Sequence, residues 1–217
     1  IQNLLDILSR YQMEVYSFDI TTDIDIPTFL SVVVDRTGFG KSIALGLKSD
    51  LNQITAIIGS IEETFNSRSW LRTEYEKNEK KVTLSDLFKK SDIRTRGLLW
   101  YPTEAIDNLN FLLNTPVSKD SINSKEAKRT SGQQLEHILE IFKKYEYDVL
   151  YKEITLPVFK NLNYFVAKTI IPQMQPFYLN ENYKLLGGRR LYDVPKKIGF
   201  KTKLREDQLN LYPHPFL

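Results

Sequence analysis

Apolar residues recur at helical spacing at the start of the chain (Leu4, Leu5 and Leu8), and the pattern then changes to a β-rich run, "MEVYSFDIT". The same change recurs later, where Ile138, Leu139 and Phe142 precede "YDVLYKEIT". Residues Ile1 to Thr21 lie over Leu135 to Thr155 without gaps. Leu5, Ile7, Tyr11, Val15, Ile20 and Thr21 are matched identically by Leu139, Ile141, Tyr145, Val149, Ile154 and Thr155. A second strand comes after each copy, past a short crossover: "TFLSVVV" (Thr28 to Val34) and "YFVAKTII" (Tyr164 to Ile171). The pattern predicts an α/β (α+β) fold that uses a helix–strand–loop–strand unit twice, in a pseudo-symmetric packing of sheet against helices.

A helical insert is expected between the copies: Asn52 to about Tyr75, then Pro102 to Asn114, closed by a polar loop from Thr115 to Gly132. No stretch is rich enough in Gly or Pro to divide the chain into two domains. The tail from Pro172, with Gly187-Gly188 and five prolines, is expected to be irregular and laid over the body.

"GFGKS" at Gly38 to Ser42 resembles the end of a phosphate-binding P-loop, but the leading glycine position of that pattern falls on Asp35. A P-loop also feeds a helix, whereas Lys41-Ser42 leads into the strand-like "IALGLKS". The segment reads as a β-hairpin whose turn uses the glycines.

The 217 residues, 41% hydrophobic and 26% charged, have the composition of a globular domain with a packed core. The net charge of +3 is small and its cations are interleaved with acids, as in Arg72 to Lys81, which excludes a nucleic-acid or membrane footprint. The absence of cysteine excludes disulfides, a thiolate nucleophile and a Cys-based zinc site, and fits a cytoplasmic location. His137 and His214 are the only histidines, too few for a His-rich metal site. The chain shows neither a signal-peptide pattern nor an apolar run of about 18 residues. It opens within a helical pattern and without Met, as expected of a sequence cut from something longer.

The helix from Asn52 carries the candidate chemistry. Ile54, Ile57, Ile58, Ile61 and Phe65 form one stripe, opposite Asn52, Ala56, Gly59, Glu63 and Asn66. That second side either faces water or makes room for a ligand. Small residues at Ala56 and Gly59 suggest a close approach, because an internal Gly costs about 1 kcal/mol relative to Ala. Glu63 and Asn66, one turn apart, can point oxygens at a common Mg2+. Ser49 and Asn52 flank the helix start, where they can cap the helix or meet an anion.

Ser49-x-x-Asn52-x-x-x-Ala56, followed by Glu63-x-x-Asn66, resembles the middle ATP-binding signature of YcaO-domain proteins, with Asn66 where relatives more often carry Gln or Glu. Val15 to Gly38, Ile170 to Pro195 and the ending "YPHPFL" resemble the same family, so the likeness runs in order along nearly the whole chain. The ending is similar to the proline-rich C-terminus of azoline-forming members; Pro213 and Pro215 match its first two prolines and Leu217 stands where a third is common. Prolines hold such a tail extended at small entropic cost. Lys168 stands where relatives often have Arg, and Arg189 or Arg190 either meets substrate or phosphate or braces the Gly187-Gly188 turn through an ion pair. The family's first ATP motif, Ser-x-x-Glu-x-x-Glu-Arg, occurs nowhere in the sequence. Residues 1–217 therefore resemble the C-terminal part of a single YcaO domain.

The resemblance implies an ATP-dependent cyclodehydratase that forms thiazoline or oxazoline rings from Cys, Ser or Thr of a ribosomally made peptide, as in microcin and bacteriocin biosynthesis. It implies ATP and Mg2+ as cofactors, with Ser49, Asn52, Glu63 and Asn66 at the nucleotide, Glu63 and Asn66 at the metal, and Pro213 and Pro215 shaping the cleft. The implied partners are a precursor peptide, a leader-binding protein related to ubiquitin-activating enzymes, and a possible second copy of the chain. Two other readings are open: a thioamide-forming YcaO enzyme, and a non-catalytic fragment or peptide-binding scaffold.

Overall fold

The computed structural model describes residues 2–66, 68–77, 93–118, 122, 129–178, 180–200, 205–210 and 212–213. Helix α1 (Gln2–Arg10) leads into β1 (Met13–Asp19), and β2 (Thr28–Asp35) and β3 (Ile43–Ser49) come next. These strands form an antiparallel sheet in the order β1-β2-β3, registered from Met13↔Asp35 to Asp19↔Phe29 and from Thr28↔Ser49 to Val34↔Ile43. The predicted β2–β3 hairpin is present. Gly38, at φ +77, supplies the left-handed residue of its connection, and Lys41-Ser42 enter a strand as expected, with no P-loop helix.

β2 is central and covered on both sides, which is why it reads as a continuous apolar run; Val32, Val33 and Val34 are fully buried. Alternation sends Val32 and Val34 to one face, against Ile43, Leu99, Trp100, Ile106 and Leu109. The other face packs Phe29 against Leu8 of α1 and Ala56, Ile57 and Ile61 of α2 (Gln53–Glu63). Ser31 is carried to this second face and shares a buried 2.7 Å hydrogen bond with Ser60. The sheet is thus the middle of three layers.

The insert is the covering of that sheet. The helix expected from Asn52 to Tyr75 is two helices, α2 and α3 (Arg68–Lys77), parted by a turn at Thr64 to Asn66. Among the described residues, α4 (Ile93–Leu99) comes next. The expected Pro102–Asn114 helix is a 3-10 turn, Thr103–Leu109, continued by the short α5 (Asn110–Leu113).

The second copy also runs from a helix into an antiparallel strand pair, α6 (Ser131–Lys144), β4 (Leu150–Glu153) and β5 (Ala167–Ile170), but a short helix, α7 (Pro157–Lys160), stands between its strands where the first copy has a loop. Each copy's first helix buries one residue, Leu8 or Phe142, at matching positions. Each is succeeded by a left-handed residue, Gln12 (φ 55) or Glu146 (φ 57), also at matching positions. Packing does not recur with the order, since every residue of β4 and β5 is exposed.

The tail is less irregular than expected, because α8 (Arg190–Lys197) forms within it. Arg190 fixes this helix to the β1–β2 loop through two hydrogen bonds to Asp23, at 2.6 and 3.1 Å, and a third to the Tyr147 hydroxyl. Both charged side chains are nearly buried. Burial pushes the Asp23 carboxyl up, but Arg190 and Lys197 outweigh it and hold Asp23 below the usual carboxylate range. Of the two roles weighed for this arginine, the structure shows the bracing ion pair. No helix among the described residues is long and apolar enough to cross a membrane.

Candidate functional site

α2 doubles back on β3, and the contact is close because β3 carries a glycine there. A Cβ on Gly46 would run into the backbone carbonyl of Ser60 and crowd Glu63 and Thr64. The same packing explains the small residues of α2. Ala56 is fully buried against the sheet, and Gly59 receives the aliphatic stem of Lys48, whose Cγ would lie 3.0 Å from a Cβ added there. The close approach inferred from Ala56 and Gly59 is therefore real, but the sheet makes it. The helix buries Ala56, Ile57, Ser60 and Ile61, so its inward face is rotated from the isoleucine stripe toward the small residues, and Ile54 and Ile58 are only half-buried. Apolar residues alone misplace the face because Gly46 and Ser31 accept small partners better than large ones.

The edges of this contact carry the candidate polar residues. Asn52 is the N-cap of α2; its Oδ1 accepts the Thr55 N–H at 3.0 Å, so it performs the capping role that was one of its two readings. That bond uses only the oxygen and leaves the Asn52 side-chain NH2 without a partner among the described residues. Ser49, the last residue of β3, is exposed and shares a 2.8 Å hydrogen bond with the Thr28 hydroxyl. At the far end of α2, exposed Glu63 accepts the Leu47 N–H through Oε2 at 2.5 Å. The carboxylate is thus anchored on the outer edge of β3, roughly 7 Å along the strand from Ser49. Asn66 is exposed one turn further on.

This arrangement bears on a magnesium nucleotide. One Glu63 oxygen is held by backbone and the other remains for a ligand, while Asn66 follows one turn on, its N–H bonded to the Glu63 carbonyl. Among the described residues, no group of three or more His, Cys, Asp or Glu could hold a metal. The donor set suits Mg2+, which keeps several waters and takes one or two carboxylates together with phosphate oxygens. It does not suit a metal held by protein alone.

Pro213 is buried, and its carbonyl accepts the Trp100 indole N–H at 3.1 Å. The carbonyls of Trp100 and Tyr101 in turn take the N–H groups of Ile43 and Ser42 at the start of β3. The tail is therefore seated on the strand edge that also carries Glu63, at its opposite end. Pro215, Leu217 and His214 lie outside the described residues. Lys168 is exposed on β5, opposite Lys152. Residue-by-residue reading missed Leu47, Lys48 and Trp100, whose roles arise from what the strand edge meets in space.

The sequence profile of the family described as YcaO cyclodehydratase, ATP- and Mg2+-binding, matches residues 1–175. No curated protein sequence matches the chain. Among solved structures, a heterocyclase in complex with substrate and cofactor superposes on all of the chain with a TM-score of 0.69 and 24% identity. The heterocyclase TruD does so with a TM-score of 0.59 and 22% identity. The chain covers 27% and 28% of those two proteins, so the likeness speaks for the fold of a part of each.

Proposed function

The chain belongs to the YcaO cyclodehydratase family, and from this premise we propose that it is the C-terminal part of a YcaO domain that forms thiazoline or oxazoline rings in a ribosomally made peptide, at the expense of ATP. The observation that carries the reading is the family match over residues 1–175, within which Ser49, Asn52, Glu63 and Asn66 fall in the order of the family's middle ATP signature.

In this reading a Cys, Ser or Thr side chain of the substrate attacks the preceding backbone amide. Amide oxygen is a poor leaving group. ATP bound with Mg2+ supplies the phosphoryl group that converts that oxygen into a good one, chemistry that depends on positioning and charge stabilisation. Glu63, already oriented by the Leu47 N–H, offers its second oxygen to the metal, and Asn66 assists. Asn52 and Ser49 contact the nucleotide, Asn52 through the side-chain NH2 that its capping bond leaves over. Pro213, held by Trp100, fixes the start of the last segment, and with Pro215 it is assigned to shaping the cleft. The N-terminal part of the domain supplies the remaining ATP motif, and a leader-binding protein related to ubiquitin-activating enzymes presents the peptide.

The test is to incubate the full-length protein with Mg-ATP, its leader-binding partner and the precursor peptide, and to weigh the peptide. The loss of one water per ring is the expected result. Replacement of oxygen by sulfur would move the assignment to thioamide formation, and an unchanged mass would overturn the enzymatic reading.

A further inference from the structure

The loop that imitates a P-loop does build a site, at the other end of the sheet. A cleft of about 740 Å3 opens where the end of α1, the β2–β3 connection and the start of α3 meet. Four cationic residues line it, Arg10, Lys41, Arg68 and Arg72, with one acidic residue, Asp35. That carboxylate is already matched. Arg68 pairs with it at 2.8 Å and also donates to the Lys41 carbonyl at 3.0 Å, while the Thr37 hydroxyl and N–H bind its other oxygen. Arg72 is engaged by Glu76 at 2.8 Å. Arg10 and Lys41 have no carboxylate partner among the described residues.

Lys41 is the telling member. It is 2% exposed, lines the cleft, and its ammonium has no hydrogen-bond partner among the described residues. A buried ammonium without an anion is costly, and the neighbouring Arg68 guanidinium adds repulsion. Beside it stand two large aromatic side chains, Phe39 (83% exposed) and Tyr11 (66% exposed), which offer apolar surface at the mouth of the cleft. With Asp35 matched by Arg68 and Arg72 by Glu76, Arg10 and Lys41 are left to meet an anion, and the apolar surface of Phe39 and Tyr11 favours one carried on a peptide over free phosphate.

We propose that this cleft binds a carboxylate, presented as an acidic side chain or as the C-terminus of a peptide whose neighbouring residues lie on Phe39 and Tyr11. The inference goes beyond the cyclodehydratase reading and rests on it only in naming a peptide as the carrier. None of its residues belongs to the proposed nucleotide site.

The test uses the full-length protein and three labelled probes in a fluorescence anisotropy titration: a capped aromatic peptide with one central Glu, its Gln counterpart, and the Gln peptide with a free C-terminal carboxylate. One of the two carboxylate probes is expected to bind roughly tenfold tighter than the capped Gln peptide, and which one does so identifies the source. The preference is expected to vanish in Lys41→Met and in Arg10→Gln; the latter, at an exposed helix end, keeps the test valid should Lys41→Met not fold. Mg-ATP affinity, measured alongside, is expected to be the same in wild type and both variants; its absence from wild type would count against the nucleotide reading and leave the cleft standing. Equal affinity for all three probes, a preference that survives in the variants, or displacement of the peptide by an equal concentration of inorganic phosphate would overturn the assignment.

Discussion

The two copies share sequence, a helix that leads into an antiparallel strand pair, and even the left-handed residue after the helix, yet one is the centre of a core and the other is a surface. Val32, Val33 and Val34 of β2 are fully buried, whereas Leu150, Tyr151 and Ile170 of β4 and β5 are 53% exposed or more. The difference lies in the segments that succeed each strand pair. The first copy is extended by β3 and then covered by α2 on one face and by the Leu99–Leu109 layer on the other; the second gains neither a third strand nor a cover among the described residues. Local sequence dictates the hairpin, and neighbours dictate the burial. The candidate chemistry obeys the same division, since Ser49, Asn52 and Glu63 all stand on the β3–α2 addition that the second copy lacks.

The contrast is broken most directly by truncating equivalent apolar residues in the two sheets. Ile43→Ala, at a fully buried position, is expected to cost about 2–5 kcal/mol in denaturant unfolding. Ile170→Ala, at a position 53% exposed, is expected to stay within about 0.5 kcal/mol. Equal costs would show that the second sheet is as well covered as the first.

A pH series sharpens the picture at the end of β2. Burial, reinforced by Arg68, pulls the Lys41 ammonium down from its ordinary 10.5 to about 7. Below about pH 7 the lysine is charged in both folded and unfolded chains, and the folded state carries the full penalty. As pH rises from about 7 toward 10.5 the folded state releases its proton first, and the penalty is lost. Wild type is therefore expected to gain stability relative to Lys41→Met over that window, by up to a few kcal/mol. A stability difference that does not change with pH would mean that the ammonium is solvated.

The smallest effect compares the two helix caps. Asn52→Ala at α2 and Thr130→Ala at α6 are each expected to cost about 1 kcal/mol, since both side chains accept an N–H of the first turn. Only the first is expected to weaken Mg-ATP binding as well. Equal nucleotide affinity in the two variants would reduce Asn52 to its cap.

Much of this was legible in the sequence. Two strand-like runs with glycines between them marked the β2–β3 hairpin, and helical spacing marked α1, α2 and α6, because these patterns answer to local geometry. The face of α2 was not legible, since it is chosen by Gly46 and Ser31 on strands that the helix meets only after folding. The break between α2 and α3 falls at Thr64 to Asn66, where the sequence has neither Gly nor Pro to mark it. α8 escaped notice because its anchor, Asp23, lies in a loop at the far end of the chain. The cleft around Lys41 was hidden for the same reason: Asp35 and Arg68 are far apart in sequence, and a lone "GFGK" suggests a different phosphate site.

The central claim is that Glu63, fixed on the edge of β3, carries the magnesium nucleotide. Calorimetric titration of the full-length protein with Mg-ATP, wild type against Glu63→Gln, tests it most directly, because Gln still accepts the Leu47 N–H and removes only the charge. The account predicts a loss of at least roughly tenfold in affinity with an unchanged melting temperature; wild-type affinity in the variant would contradict it.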